Sequence, residues 1–200
     1  MGRMHGIVLL TVVGSAAAAQ ADVVQYTIGG VTSNVAVFGF TWATASTGDP
    51  WELVISVDTT IPEDNSTVDN PNAYRVFDSL ISASLTIGID SAPIVMFGDD
   101  LIFTNDTVDS LFFSAFEPGG GTMVVQIDGP DTLFGESKFP TSIDQASLSA
   151  SRFFVNAFIQ DEVGIFGDAT GGTFTAQAIP SPMAPLALVG GLGLFSRRRR

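Results

Sequence analysis

Apolar and polar residues alternate with period two through the middle of the chain, and short turn-forming segments break the pattern. Ile81, Ala83, Leu85, Ile87 and Ile89 alternate with Ser82, Ser84, Thr86, Gly88 and Asp90. The same period recurs at Trp51, Leu53, Ile55 and Val57, at Met123, Val125 and Ile127, and at Phe153, Val155, Ala157 and Ile159. It also runs through Val24, Tyr26 and Ile28, then through Phe38, Phe40 and Trp42. Every second side chain of a strand points to the same face, so each segment reads as a strand with one face buried. Turn residues cluster between them, at Ser46–Pro50, Pro62–Asn72, Gly98–Asp100, Glu117–Gly121, Gly129-Pro130 and Gly167–Gly172. Strong helix formers are scarce. The pattern predicts an all-β fold, a β-sandwich or jelly roll of roughly 8 to 11 strands.

That region, residues 22–179, is one domain by length and can bury a sizeable core. Most of the 16 phenylalanines are expected to pack there, including the Phe112-Phe113 and Phe153-Phe154 pairs. Its charge is one-sided: 21 acidic residues face only Arg75, Lys138 and Arg152, a net of about −18. The remaining bases sit at the ends, which brings the whole chain to −13 with a pI near 4.1. Such a polyanion repels nucleic acid, so no nucleic-acid partner is expected. Without cysteine there is no disulfide framework, thiolate zinc site or cysteine nucleophile.

The two ends differ from the middle. Arg3 and the amino terminus precede an apolar stretch, Ile7–Val13, and Ala19-Gln20-Ala21 has the small-x-small form that signal peptidase cuts. Residues 1–21 therefore read as a signal peptide cleaved before Asp22, with a buried first helix as the alternative. Seven apolar residues are too few to span a bilayer core, which needs roughly 20. The sole histidine, His5, lies in this leader, so the mature chain has no imidazole for a triad or proton shuttle. At the other end, Pro180-Ser181-Pro182 breaks the chain, Met183–Phe195 is apolar, and Arg197, Arg198, Arg199 and Arg200 follow. Four cations after an apolar helix stop translocation and stay on the cytoplasmic side. The apolar stretch reaches only about 20 Å, and Gly190, Gly191 and Gly193 weaken it as a helix. A short transmembrane helix of this kind suits a temporary handle better than a permanent anchor.

This three-part layout resembles the bacterial PEP-CTERM sorting signal, the C-terminal tag that exosortases recognise. Pro180, Ser181 and Pro182 occupy the Pro-Glu-Pro-like motif, Leu186–Phe195 the helix and Arg197–Arg200 the basic cluster, with Ser181 standing where the family usually has Glu. The resemblance implies a sorting signal at 180–200, with signal peptidase and an exosortase-like membrane enzyme as processing partners. The competing reading is a plain single-pass tail anchor. The body is similar to the choice-of-anchor β-sandwich regions that often precede such tags, through YTIGGVTS, ISVDTTIPED, ISASLTIG and LFGESKFPTSIDQASLSASRFFV. No catalytic residue comes with that similarity.

Candidate chemistry in the body centres on acids. Asp99, Asp100, Asn105, Asp106 and Asp109 form one cluster; Asp58, Glu63, Asp64, Asn65 and Asp69 form another. Calcium takes six to eight hard oxygens, often from loops, so Asp58, Asp64, Asp99, Asp100, Asp106 and Asp109 are candidate ligands. Neither cluster has EF-hand spacing, and the alternative is a solvated acidic turn. No other cofactor is expected. Carboxylate pairs for glycoside hydrolysis can be drawn almost at will among 21 acids and carry no signal. A serine nucleophile would need Lys138 as its base, in what reads as an exposed turn beside Glu136 and Ser137. Trp42, Trp51, Tyr26 and Tyr74 offer either an aromatic platform for sugars or core packing, with Trp42 and Trp51 on inward strand positions. Asn65-Ser66-Thr67 and Asn105-Asp106-Thr107 match the glycosylation acceptor, which in a bacterial chain occurs by chance. The chain is thus expected to be a non-enzymatic, exported protein. It would be transiently membrane-anchored through its C-terminal helix, then held at the cell surface or in the extracellular matrix. The alternative is an extracellular module binding polysaccharide or calcium.

Overall fold

The computed structural model describes residues 22–64, 72–135 and 138–179. Twelve strands and one short helix follow in chain order. The first six strands are β1 (Val23–Val31), β2 (Asn34–Val37), β3 (Pro50–Asp58), β4 (Ala73–Phe77), β5 (Leu80–Ile87) and β6 (Asp90–Ile94). Then come β7 (Phe97–Thr104), β8 (Val108–Phe116), β9 (Thr122–Pro130), α1 (Gln145–Ala150), β10 (Arg152–Ile159), β11 (Val163–Thr170) and β12 (Thr173–Ile179). They form two antiparallel sheets, β12-β1-β3-β5-β6 and β2-β11-β10-β9-β8-β7-β4.

The period-two segments supply the core. Tyr26 lies opposite Ile55 and Ile28 opposite Leu53, so inward positions stand side by side across the smaller sheet. In the larger sheet Phe113 pairs with Val125, and Val125 with Val155. These inward faces meet in one cluster, where the Tyr26 ring lies 5.4 Å from Phe103 and 5.8 Å from Phe174. Burying each such side chain contributes about 1.5–3 kcal/mol. Among the described residues, every member of that cluster lies between Val24 and Phe174. Strands β1 and β12 start and finish the body as neighbours, with Val23 opposite Ile179.

Several expectations need correction. Among the described residues there are twelve strands, one above the predicted range, with short β2 and β4 at the edges of the larger sheet. Strands β7 to β11 run as a meander within one sheet, without the alternation between sheets that a jelly roll requires. Phe38, Phe40 and Trp42 are not a strand. Phe38 and Gly39 both donate their N–H to the Glu162 carbonyl, and the Glu162 carboxylate accepts the Thr41 N–H at 3.0 Å, folding the chain into a turn. Phe40 is left 94% exposed, while Trp42 turns inward from this loop and donates its indole N–H to the Leu85 carbonyl. Ile81 and Ile89 also face out. A register shift at Ser56/Val57 places Leu80 opposite Val57, and Gly88, at φ 62°, turns the chain before Ile89. Gly98–Asp100 is a bulge inside β7 rather than a turn, Gly129-Pro130 ends β9, and only Gly171-Gly172 of the last predicted turn lies between strands.

Candidate functional site

The two acidic stretches do not converge. Asp99 and Asp100 lie near the start of β7, and Asp106 and Asp109 near the loop at its far end, about 16 Å along the strand. The β7 bulge turns Asp99 inward, where it is buried. There its carboxylate accepts the Ser79 N–H at 2.9 Å, the Ser79 hydroxyl at 2.8 Å and the Leu80 N–H at 3.1 Å. Those bonds fasten the crossing from β4 in one sheet to β5 in the other. Asp109, also buried, accepts N–H groups from Phe134 at 2.9 Å and Asp106 at 3.2 Å, pinning the long connection after β9. Asp106 accepts from Thr107, and Asp100 holds Arg75 through two bonds of 2.8 and 2.6 Å. Asp58 accepts from the Thr60 hydroxyl and N–H, which lowers its pKa below the ordinary aspartate value. Asp64 donates its backbone N–H to the Arg75 carbonyl. The carboxylates of Asp58, Asp99, Asp100, Asp106 and Asp109 thus each serve a turn, bulge or ion pair. Among the described residues, no group of three or more Asp, Glu or His is placed to hold a metal.

The remaining predicted positions separate in the same way. Tyr26, Trp42, Trp51 and Tyr74 are all buried, so they form no external platform. Lys138 is exposed, its ammonium 5.2 Å from the Tyr74 ring centre. Ser137, Glu136, Asn65 and Asp69 lie outside the described residues, as do the processing positions Ala19, Ala21, Pro180, Ser181, Pro182 and Arg197–Arg200. No helix among the described residues is long and apolar enough to cross a membrane.

Two surface features were missed by sequence reasoning. The first is a hollow of about 570 Å³ at the end of the smaller sheet opposite Val23 and Ile179, lined by Gly30, Trp51, Glu52, Thr86, Gly172 and Thr173 among others. Gly30, Gly171 and Gly172 bring no side chain to its lining, and a Cβ on Gly172 would stand only 2.5 Å from the Gly29 carbonyl.

The second is the outer face of the larger sheet. The smaller sheet presents Thr, Ser and Gln outward, in rows such as Thr175–Thr27–Val54–Ser84 and Gln177–Gln25–Ser56–Ser82. The larger sheet presents phenylalanine instead. Phe154 and Phe112 flank Gln126 in one row, and Phe158 and Phe116 flank Thr122 in another. Phe166, Phe97, Phe77 and Phe38 extend the face toward its margins. Half of all 16 phenylalanines thus lie on this surface. Phe116 and Phe158 remain 51% and 42% exposed. Two of the three bases of the body are here as well, Arg152 paired with Asp168 and Arg75 with Asp100. A faint signal existed in the sequence. Consecutive residues of a strand face opposite ways, so Phe112-Phe113 and Phe153-Phe154 must each send one ring outward.

Comparison with protein-family models, with curated proteins and with solved structures returns no match.

Proposed function

We propose that the chain is a non-enzymatic, exported surface or extracellular-matrix protein. Its leader is removed before Asp22, and a short C-terminal transmembrane helix with the Pro180-Ser181-Pro182 motif serves as an exosortase-type sorting tag. The observation that supports this reading is the pairing of β1 with β12: Val23 and Ile179 are neighbours at one end of the body. Both processing segments would adjoin that end, and cuts there would leave every described strand and core residue in place. Replacing Arg197–Arg200 with Ser tests the tail, since basic residues set its orientation. The variant is expected to accumulate unprocessed, and normal processing would overturn the sorting assignment.

A second reading, an extracellular ligand-binding module, is favoured by the hollow beside Trp51. Its volume lies within the usual range for small-ligand sites, and Glu52, Thr86 and Thr173 bring hydrogen-bonding groups to a glycine-lined floor. Calorimetric titration with neutral oligosaccharides, repeated on Glu52→Gln, decides this reading; no heat with either protein would end it.

A further inference from the structure

Outward strand positions of a solvated sheet are normally polar. The outer face of the larger sheet departs from this with eight phenylalanines, whereas on the smaller sheet apolar residues such as Val54 and Ile81 are set among Thr, Ser and Gln. We propose that this face is a self-association surface, on which a second copy of the chain docks about a two-fold axis running along β9. The inference is independent of export and sorting.

The layout is balanced about β9, the central strand of the seven. Phe154 and Phe112 stand either side of Gln126, Asn156 and Ser114 either side of Val124, and Phe158 and Phe116 either side of Thr122. A two-fold axis in the plane of contact along β9 brings each position over its counterpart across the strand. Phe154 of one copy then meets Phe112 of the other, and Phe158 meets Phe116. Asn156 meets Ser114, and the β9 side chains meet themselves. Over these three strands aromatic meets aromatic and polar meets polar, the self-complementarity an isologous interface needs. One strand further out, Phe166 falls over Asp100 and Asp168 over Ile102.

Charge points the same way. A body of about −18 resists approach of its own copy least where the local net charge is small. On this face two arginines stand against Asp100, Asp128 and Asp168, and both arginines are bound in pairs with Nη2–Oδ2 distances of 2.6 Å. The size is also adequate. Seven strands at about 4.8 Å spacing, and the rows from Arg152 to Phe158 at about 3.3 Å per residue, give a flat footprint of about 600 Å². Side-chain relief brings this toward the roughly 800 Å² per partner of a standard stable interface.

Sedimentation velocity on residues 22–179, which hold every described strand and core residue, tests the proposal across concentrations of about 1–500 μM. A monomer–dimer transition is expected in that range. Phe116→Ser with Phe158→Ser should weaken it by about tenfold or more, whereas Thr175→Ala with Ser84→Ala on the opposite sheet should leave it unchanged. A second pair of variants tests the axis and avoids the aromatic positions. Thr122 meets its own copy, so Thr122→Lys and Thr122→Glu should each be monomeric alone and dimeric when mixed. A monomer at every concentration would overturn the proposal, as would a dimer indifferent to the phenylalanine changes or a mixture that fails to associate. Retention of a monomer on insoluble polysaccharide, lost with the phenylalanine changes, would also overturn it and give the face to a glycan. So would a full-length chain whose tail masks the face and keeps it monomeric.

Discussion

Asp99→Ala tests whether the acids of the 99–109 stretch are structural acceptors rather than calcium ligands. The buried carboxylate receives two backbone N–H groups and one hydroxyl at 2.8–3.1 Å. Truncation leaves those donors facing apolar surroundings, at about 1–3 kcal/mol for each group orphaned. The Ser79 hydroxyl can rotate to another acceptor, so the two N–H groups dominate and the expected loss is about 3–5 kcal/mol. For a domain of this length, about 2–4 °C of melting temperature accompanies each kcal/mol, giving a drop of about 6–20 °C. Asp106→Ala removes only a bond to the exposed neighbour Thr107 and should cost less than about 0.5 kcal/mol. Both variants and the parent, as residues 22–179, are melted in EDTA, in CaCl₂ and in MgCl₂ at matched ionic strength. The drop should be the same in all three. An Asp99→Ala loss below about 1 kcal/mol, or a calcium-specific rise in the parent that vanishes in the variant, would refute the reasoning.

Two further outcomes follow from local geometry. Gly172→Ala places a methyl 2.5 Å from the Gly29 carbonyl and 2.8 Å from the Phe153 ring, and should cost about 1–3 kcal/mol in urea unfolding. Gly135→Ala, with nothing nearer than 3.7 Å, should be close to neutral, and equal costs would contradict the close-packing argument. Asp144 caps α1 by accepting the Ser147 N–H, and that backbone bond together with the Ser147 hydroxyl holds its pKa below the usual aspartate value. A carboxyl depressed in the folded state stabilises above its unfolded pKa of about 3.9 and loses that contribution as pH falls through its folded value. The gap in melting temperature between the parent and Asp144→Ala should therefore stay constant from neutral pH to about pH 5 and shrink below about pH 4. A gap that persists unchanged at pH 3 would contradict this.

Strands dominated by one period were legible because burial on a single face leaves a direct mark on the sequence. Val24-Tyr26-Ile28 and Phe153-Val155-Ala157-Ile159 face the core as read. The reading failed where a few hydrogen bonds outweigh the pattern. At Phe38–Trp42 the Glu162 carboxylate and carbonyl capture three N–H groups and bend an alternating stretch into a turn. At Ile81 one bulge shifts the register, so the start of β5 leaves the alternation that Ala83, Leu85 and Ile87 keep. The acids looked like a cation site because Asp is common both in calcium loops and in turns, and nothing in their spacing reveals which backbone N–H each will meet. The phenylalanine face stayed hidden for a related reason. Rings at Phe112, Phe154 and Phe158 are far apart in sequence and become one surface only through the pairing of β8, β9 and β10.

Export and sorting form the central claim, and intact mass of the protein recovered from its native host tests it most directly. The account predicts a chain that begins at Asp22 and lacks Arg197–Arg200, because signal peptidase and the tail-processing enzyme have both acted. The same measurement would reveal any group joined at the new C-terminus. A mass corresponding to all 200 residues, with Met1 and Arg200 both present, would contradict it.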